Sequence, residues 1–326
     1  MSASDLTTSD GLNPARAAGA YGSPLFFAVA AFLVLVPLFA APFLVFQVGA
    51  YGLILGTIAL SLMFLAGYGG MVSLSQMSAA GLAGYLVAIL GANSLGTGLD
   101  WPWWLVVALA VAASTLFSIG AGLLAVRTEG IYTIMITLAI GVAFFLLTQQ
   151  NYAIFNGHSG FAGIAPPAVF GLDWRGPVPF YYLSLAVSAA AYLAVVYIAR
   201  SPFGLGLQAI RDNPRRMRAL GFHVAAHRVA AYGLSGVIAG FGGVLLVWFN
   251  GRISPGTGGI RHPAGAYLGA LFFVLIDTFA IDLMGAERFN TLIGLLFLAI
   301  VLFSPDGLLG LWQKARRALD GGKDKA

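Results

Sequence analysis

Cysteine is absent from the 326 residues, which excludes disulfides and thiolate metal sites and leaves the compartment open. Charge is almost as scarce. Asp, Glu, Lys and Arg make up 9% of the chain against 59% apolar residues, and the mean hydropathy of +0.88 excludes the soluble globular class. No G-x-x-x-x-G-K-[ST] occurs, so the chain offers no P-loop for nucleotide. The four histidines are too scattered for a metal site. Strands of the barrel type, with ten-residue apolar alternation, are missing too, whereas several apolar runs reach the roughly 20 residues of a bilayer-crossing helix. The fold class read from this is all-α: a polytopic transmembrane helix bundle of about nine spans, because only helices or closed barrels satisfy their backbone in hydrocarbon.

The charge that is present is concentrated. Arg200, Arg211, Arg215, Arg216, Arg218 and Arg228 fall in one polar island, and Lys314, Arg316, Arg317, Lys323 and Lys325 in the tail. By the positive-inside rule both belong at the cytoplasmic face, where the +5 net charge meets anionic lipid and not nucleic acid. Residues 1–24 read as a disordered cytoplasmic tail, 25–311 as the membrane domain with a cytoplasmic loop at 200–228, and 312–326 as a basic tail. Within the island, Gln208 to Ile210 starts a short helical turn. Asp212-Asn213-Pro214 then supplies an N-cap with proline at the first helical position, and Gly221 ends the helix that follows.

In chain order, Leu25–Phe46 carries Pro37 and Pro42, tolerable where neighbouring helices satisfy the freed carbonyls. A short turn at Gln47 and Gly49 precedes Leu53–Ala66. Next comes G-Y-G-G-M-V-S-L-S-Q-M-S from Gly67 to Ser78. Its density of Gly, Ser73, Ser75, Gln76 and Ser78 fits close helix approach, or an interrupted helix whose ends face a pathway. Trp101, Trp103 and Trp104 form an interfacial belt before the span that ends at Ala125. Thr133 and Thr137 lie four apart on one face of Ile131–Leu147, placed either to back-bond to their own helix or to contact a solute. An outer loop over Thr148–Pro179 is long enough to cover a pathway mouth. Phe180–Ala199 leads to the island, and Gly236 and Gly240 mark a packing face in Val229–Phe249. Two further runs, Ala264–Ile281 with Asp277 inside it and Asp282 after it, and Phe289–Phe303, complete the spans.

Several stretches resemble one family, the membrane permease subunits of branched-chain amino acid ABC importers. They are G-Y-G-G-M-V-S-L-S-Q at Gly67–Gln76, R-T-E-G-I-Y-T-I-M-I-T-L-A at Arg127–Ala139, N-G-H-S-G-F-A-G-I at Asn156–Ile164, S-P-F-G-L-G-L-Q-A-I-R-D-N-P-R-R-M-R-A-L-G-F from Ser201, and S-P-D-G-L-L-G at Ser304–Gly310. The resemblance implies a permease fold in a bacterial inner membrane, with no cofactor and no catalysis of its own. It implies partners: two ABC ATPase subunits, a related second permease and an extracytoplasmic substrate-binding protein. It assigns coupling to the ATPase to Ala209, Ile210, Arg211, Asp212, Asn213, Ala219, Leu220 and Gly221, and carriage to branched-chain or related amino acids, with urea or short amides as the alternative. A remote alternative is an intramembrane serine protease, from Gly157-His158-Ser159-Gly160, but its serine lacks a histidine base on a neighbouring span. A self-sufficient secondary transporter would require paired intramembrane charges or an inverted repeat, and beyond Asp277 neither is found.

One departure from the family concerns parity. Island and tail are both basic, so an even number of crossings should separate them, yet three runs do. The family shows a further helix between the equivalents of Pro255 and Gly258, and here it reads as deleted; the alternatives are a re-entrant run or a defective gene product. A reporter active only inside the cell, fused to Ala326, tests this. A silent reporter is the outcome expected of a lost helix, and an active one requires one of the three runs to be re-entrant.

Overall fold

The computed structural model describes residues 24–91, 98–128, 130–157, 159–167 and 174–253. The expectations for the N-terminal tail, the runs Ala264–Ile281 and Phe289–Phe303, Asp277, Asp282, the missing helix after Pro255, and the basic tail lie outside them. Among the described residues every regular element is helical: α1 Pro24–Phe39, α2 Leu44–Tyr68, α3 Gln76–Leu90, α4 Trp103–Ala125, α5 Ile131–Gln150, α6 Tyr152–Phe155, α7 Pro177–Arg200, α8 Pro202–Asp212, α9 Pro214–Ala219 and α10 Val224–Asn250. Five of them, α2, α4, α5, α7 and α10, are long and apolar enough to cross a membrane, and α3 is a shorter apolar helix of 15 residues.

The turn expected at Gln47 and Gly49 is not there. Both residues lie inside α2, and the chain breaks at Ala40 and Ala41 instead. Pro42 explains the shift, since it crowds the residue before it out of the helical region. Pro37 stays within α1, and its missing N–H leaves the Leu33 carbonyl without its usual partner four residues on. The Tyr181 hydroxyl of α7 donates to that carbonyl at 2.7 Å. A freed backbone group in the membrane is thus satisfied from a neighbouring helix, as hydrocarbon requires.

α2 and α10 form the centre. Protein encloses 83% and 72% of their most apolar stretches, against 17% for α5, whose Leu138, Leu146 and Leu147 stand outward. The close approach of α10 to its neighbours depends on glycine. A Cβ on Gly243 would sit 2.0 Å from the Ala80 carbonyl oxygen of α3, and one on Gly236 would sit 2.7 Å from Ser118 Cβ of α4. Ser114 Oγ donates across the same contact to the Gly236 carbonyl at 2.9 Å. Dispersion at short range and interhelical hydrogen bonds replace the hydrophobic effect as the adhesive between membrane helices. α2 meets α7 through a second polar bridge, Thr57 Oγ1 to Ser188 Oγ at 2.8 Å.

At the outer end, the loop after α6 folds back on α10. Ile164 N donates to the Gly251 carbonyl at 3.1 Å and Ile253 N to the Phe161 carbonyl at 3.3 Å, while Phe161 and Ile164 are buried with Tyr85, Val87, Val106 and Val247. The outer loop therefore lies over the ends of α3, α4 and α10.

Replacing Gly243 by alanine has no compliant side chain to push aside, because the obstacle is α3 backbone. Overpacking of this kind costs about 1–3 kcal/mol. Gly120 on α4 has nothing within 4 Å of a built Cβ, so Gly120→Ala should be neutral or stabilising by up to ~1 kcal/mol. Thermal unfolding of the two detergent-solubilised variants should move in these opposite directions relative to the parent.

Candidate functional site

Two groups of residues singled out by the sequence are brought against each other by the fold, at the end of the bundle that carries the 200–228 island. The first is the break between α2 and α3. The last turn of α2, Phe64–Tyr68, is π-wound, Gly70 takes φ +65°, and residues 70–75 are irregular before α3 begins at Gln76. π-wound turns inside membrane-length helices leave carbonyls outside the regular ladder.

Ser73, Ser75 and Gln76 are buried, and Ser78 is half-buried. Ser73 Oγ and Ser75 Oγ share a hydrogen bond of 2.9 Å. Although Ser75 stands at the N-cap position of α3, its side chain makes no capping bond, because it is engaged with Ser73. Thr137 on α5 plays a double part. Its Oγ1 accepts from Leu74 N at 3.1 Å and is within donating distance of the Thr133 carbonyl at 3.0 Å. Of the two roles read from the sequence, Thr137 shows back-bonding to its own helix, and it adds a tertiary bond to the break. Thr133 Oγ1 reaches the Thr128 carbonyl at 3.1 Å, in the connection that precedes α5. Gln76 is 2% exposed, and neither its Nε2 nor its Oε1 has a hydrogen-bond partner among the described residues. The fully buried Tyr232 of α10 lies near Ser73 and Arg228 but makes no aligned hydrogen bond.

The second group is the island, which is helical almost throughout. α8 begins at Pro202 and not at Gln208. Ser201 is its N-cap, with Oγ accepting from Gly204 N at 3.3 Å and Pro202 at the first position. The sequence S-P at 201–202 carried this capping signal as clearly as N-P at 213–214. Gly204 packs so closely on the end of α7 that a Cβ would fall 2.1 Å from the Ile198 carbonyl oxygen, and Gln208 Nε2 donates to the Ala199 carbonyl at 2.9 Å. Asn213 caps α9, its Oδ1 accepting from Arg216 N at 2.9 Å.

α9 ends where expected. Gly221, at φ +88°, donates to the Arg218 carbonyl at 3.0 Å while Phe222 N donates to the Met217 carbonyl at 3.0 Å, the paired bonds of a Schellman motif. α10 starts at Val224, so His227 and Arg228 are not loop residues. His227 stacks on Phe203 at 5.6 Å, and Arg228 is buried. The helix extends further than the apolar run because the polar ends of a span are held by protein and not by lipid.

Within the island the named residues face two ways. Ile210 is fully buried with Met217 and Val224, and Ala209 packs against them. Arg211 points at the membrane helices, where Nη1 donates to the Gly67 carbonyl at the end of α2. Asp212, Asn213, Ala219, Leu220 and Gly221 are exposed, Leu220 at 66%. Together with Arg215, Arg216 and Arg218 they make an exposed cap of mixed apolar and cationic character.

A family profile described as "Branched-chain amino acid transport system / permease component" matches residues 44–302. The high-affinity branched-chain amino acid transport system permease protein LivM of Escherichia coli K12 is 24% identical over 302 residues, covering 81% of this chain and 68% of that protein. A nucleoside ABC transporter permease protein, NupC of Lactococcus lactis, is 28% identical across 46% of this chain and 53% of its own. The autoinducer 2 import system permease protein LsrC of Escherichia coli K12 is 29% identical across 41% and 48%. No solved structure matches the chain.

Thr137→Val removes the acceptor for Leu74 N and leaves that donor unpaired. A buried unpaired donor costs about 1–3 kcal/mol. Amide hydrogen exchange across residues 70–76 should accelerate in Thr137→Val and stay near the parent rate in Thr137→Ser, which keeps the hydroxyl.

Proposed function

Because this chain belongs to the family of permease components of branched-chain amino acid transport systems, we propose that it is the membrane-spanning permease subunit of an ABC importer in a bacterial inner membrane. It carries branched-chain or related amino acids, driven by ATP hydrolysed on partner subunits. The complete bundle has about nine spans, the usual length of a crossing helix applied to the remaining apolar runs. The observation that carries this reading is the match over residues 44–302, most of the membrane domain.

The partners in this reading are two ABC ATPases, a related second permease and an extracytoplasmic binding protein. The ATPase meets the exposed cap of α8 and α9, with Asp212, Asn213, Ala219, Leu220 and Gly221 as the contact and Ala209, Ile210 and Arg211 behind it. Capping at Asn213 and the Schellman closure at Gly221 support this role. A segment fixed at both ends moves as a body and transmits displacement, whereas a loose loop would absorb it. Ser73, Ser75, Gln76, Ser78, Thr133 and Thr137 line or gate the pathway. In support, Gln76 keeps a buried amide unpaired, which is costly in a packed interior and is offset when a polar solute or the partner permease meets it.

The second substrate reading, urea or short amides, draws on the same motifs. The nucleoside and autoinducer 2 permeases among the relatives show that members of this group differ in cargo.

Proteoliposomes holding the chain with its partner permease and ATPases, plus binding protein, should accumulate radiolabelled leucine, isoleucine or valine only with internal or external ATP at the ATPase face. Uptake by this chain unaided would overturn the reading, and accumulation of urea alone would select the second substrate class. Gly221→Val forces a β-branched side chain into the left-handed region at a cost of about 1–2 kcal/mol. Uptake should fall while membrane insertion persists, and Gly221→Asn, which tolerates that region, should retain much more of it.

A further inference from the structure

α8 is fastened to the α2–α3 break at two consecutive turns. Leu207 is fully buried in the cluster that holds Phe64, Leu65 and Met71, and a Cβ on Gly69 would come within 3.8 Å of its methyl groups. One turn later, Arg211 reaches across to α2 and donates to the Gly67 carbonyl. Its Nε and Nη2 are held by the Asp212 carboxylate at 3.0 and 2.9 Å. The stem of the same side chain lies on Gly70, where a Cβ would stand 2.5 Å from Arg211 Cγ.

The two ends of this contact carry different roles. Asp212 adjoins Asn213, the cap of the exposed helix α9. Gly70 lies three residues before Ser73, the start of the buried hydroxyl pair and of the Leu74–Thr137 bond.

We propose that Arg211 is a positioning residue that transmits displacement of α8 and α9 to the break between α2 and α3, setting the exposure of Ser73, Ser75 and Gln76. This rests on the importer reading given above. The guanidinium suits the task because its planar fork holds a carboxylate and a carbonyl at once, whereas a lysine ammonium is a point charge without that geometry. The turn it grips has a glycine at either side, Gly67 and Gly70, so the backbone there can rotate without side-chain clash.

The chain lacks cysteine, so Ser75→Cys gives it a single thiol at the break, and modification is read from the mass shift of this chain alone. In the complete transporter reconstituted with its partners, the rate of modification by a small methanethiosulfonate reagent is compared without nucleotide and with ATP plus vanadate. With Arg211 present the two rates should differ by roughly fivefold or more, the lower range of coupling between sites. In Arg211→Gln the ratio should collapse toward unity, and Arg211→Lys should recover only part of it. Asp212→Asn, which loosens the guanidinium without removing it, should give an intermediate ratio and keeps the test open if Arg211→Gln fails to assemble. A full nucleotide-dependent ratio in Arg211→Gln, or in Asp212→Asn where that is the variant that assembles, overturns the inference alone. Absence of ATP-driven uptake by the parent assembly overturns the importer reading and the inference with it.

Discussion

Hydrocarbon offers no hydrogen bonds, so each departure from regular helix in this bundle has to be answered by a side chain from elsewhere. Three departures show the rule at work. Pro37 orphans the Leu33 carbonyl and Tyr181 supplies the donor. The break after α2 exposes Leu74 N and the Gly67 carbonyl, and Thr137 and Arg211 answer them. At the end of α7, the Ala199 carbonyl receives Gln208. These polar residues are placed by where the helices fail, and the break between α2 and α3 gathers Ser73, Ser75, Gln76 and Thr137.

The second constraint is distance. α10 runs through the middle of the described bundle because Gly236, Gly240 and Gly243 let it touch α3 and α4 at backbone range. That contact leaves little freedom for α10 to move relative to α3 and α4. The rim, among the described residues, is α5, with 17% of its most apolar stretch enclosed, and the α8–α9 pair, which joins the end of α7 to the start of α10. Between the fixed centre and the rim lies the irregular segment at 70–75, with glycine before it and a half-length helix after it. Its position joins the exposed cationic cap to the buried serines by a path of only a few residues.

The family relationship and the geometry bear on different questions. Matching over residues 44–302 speaks to what kind of protein this is. It does not say which side chains of the island face a partner and which face the bundle. The fold separates them: Leu207, Ile210 and Arg211 turn inward, whereas Asp212, Ala219, Leu220 and Gly221 stand in the open. Residues grouped as one coupling element by resemblance thus divide into an exposed set and an inward-facing one.

The sequence by itself determined the class and the landmarks. Apolar run length, arginine clustering and the scarcity of charge imply membrane helices with a cytoplasmic island, and N-P at 213–214 with Gly221 marks the limits of α9 because capping is a local, backbone-level choice. Where competing local signals stood side by side, it misplaced the boundary: Pro42 and not Gly49 ends the first crossing, and Ser201-Pro202 and not Gln208 opens α8. Only the tertiary structure decided that Arg211 grips Gly67, that Thr137 accepts from Leu74 N while back-bonding to its own helix, and that Gln76 is buried without a partner among the described residues. Such pairings join residues as much as 144 positions apart, and nothing in local periodicity encodes which distant backbone group a side chain will meet. The packing of helix on helix, set by glycine and by unpaired backbone, makes that choice.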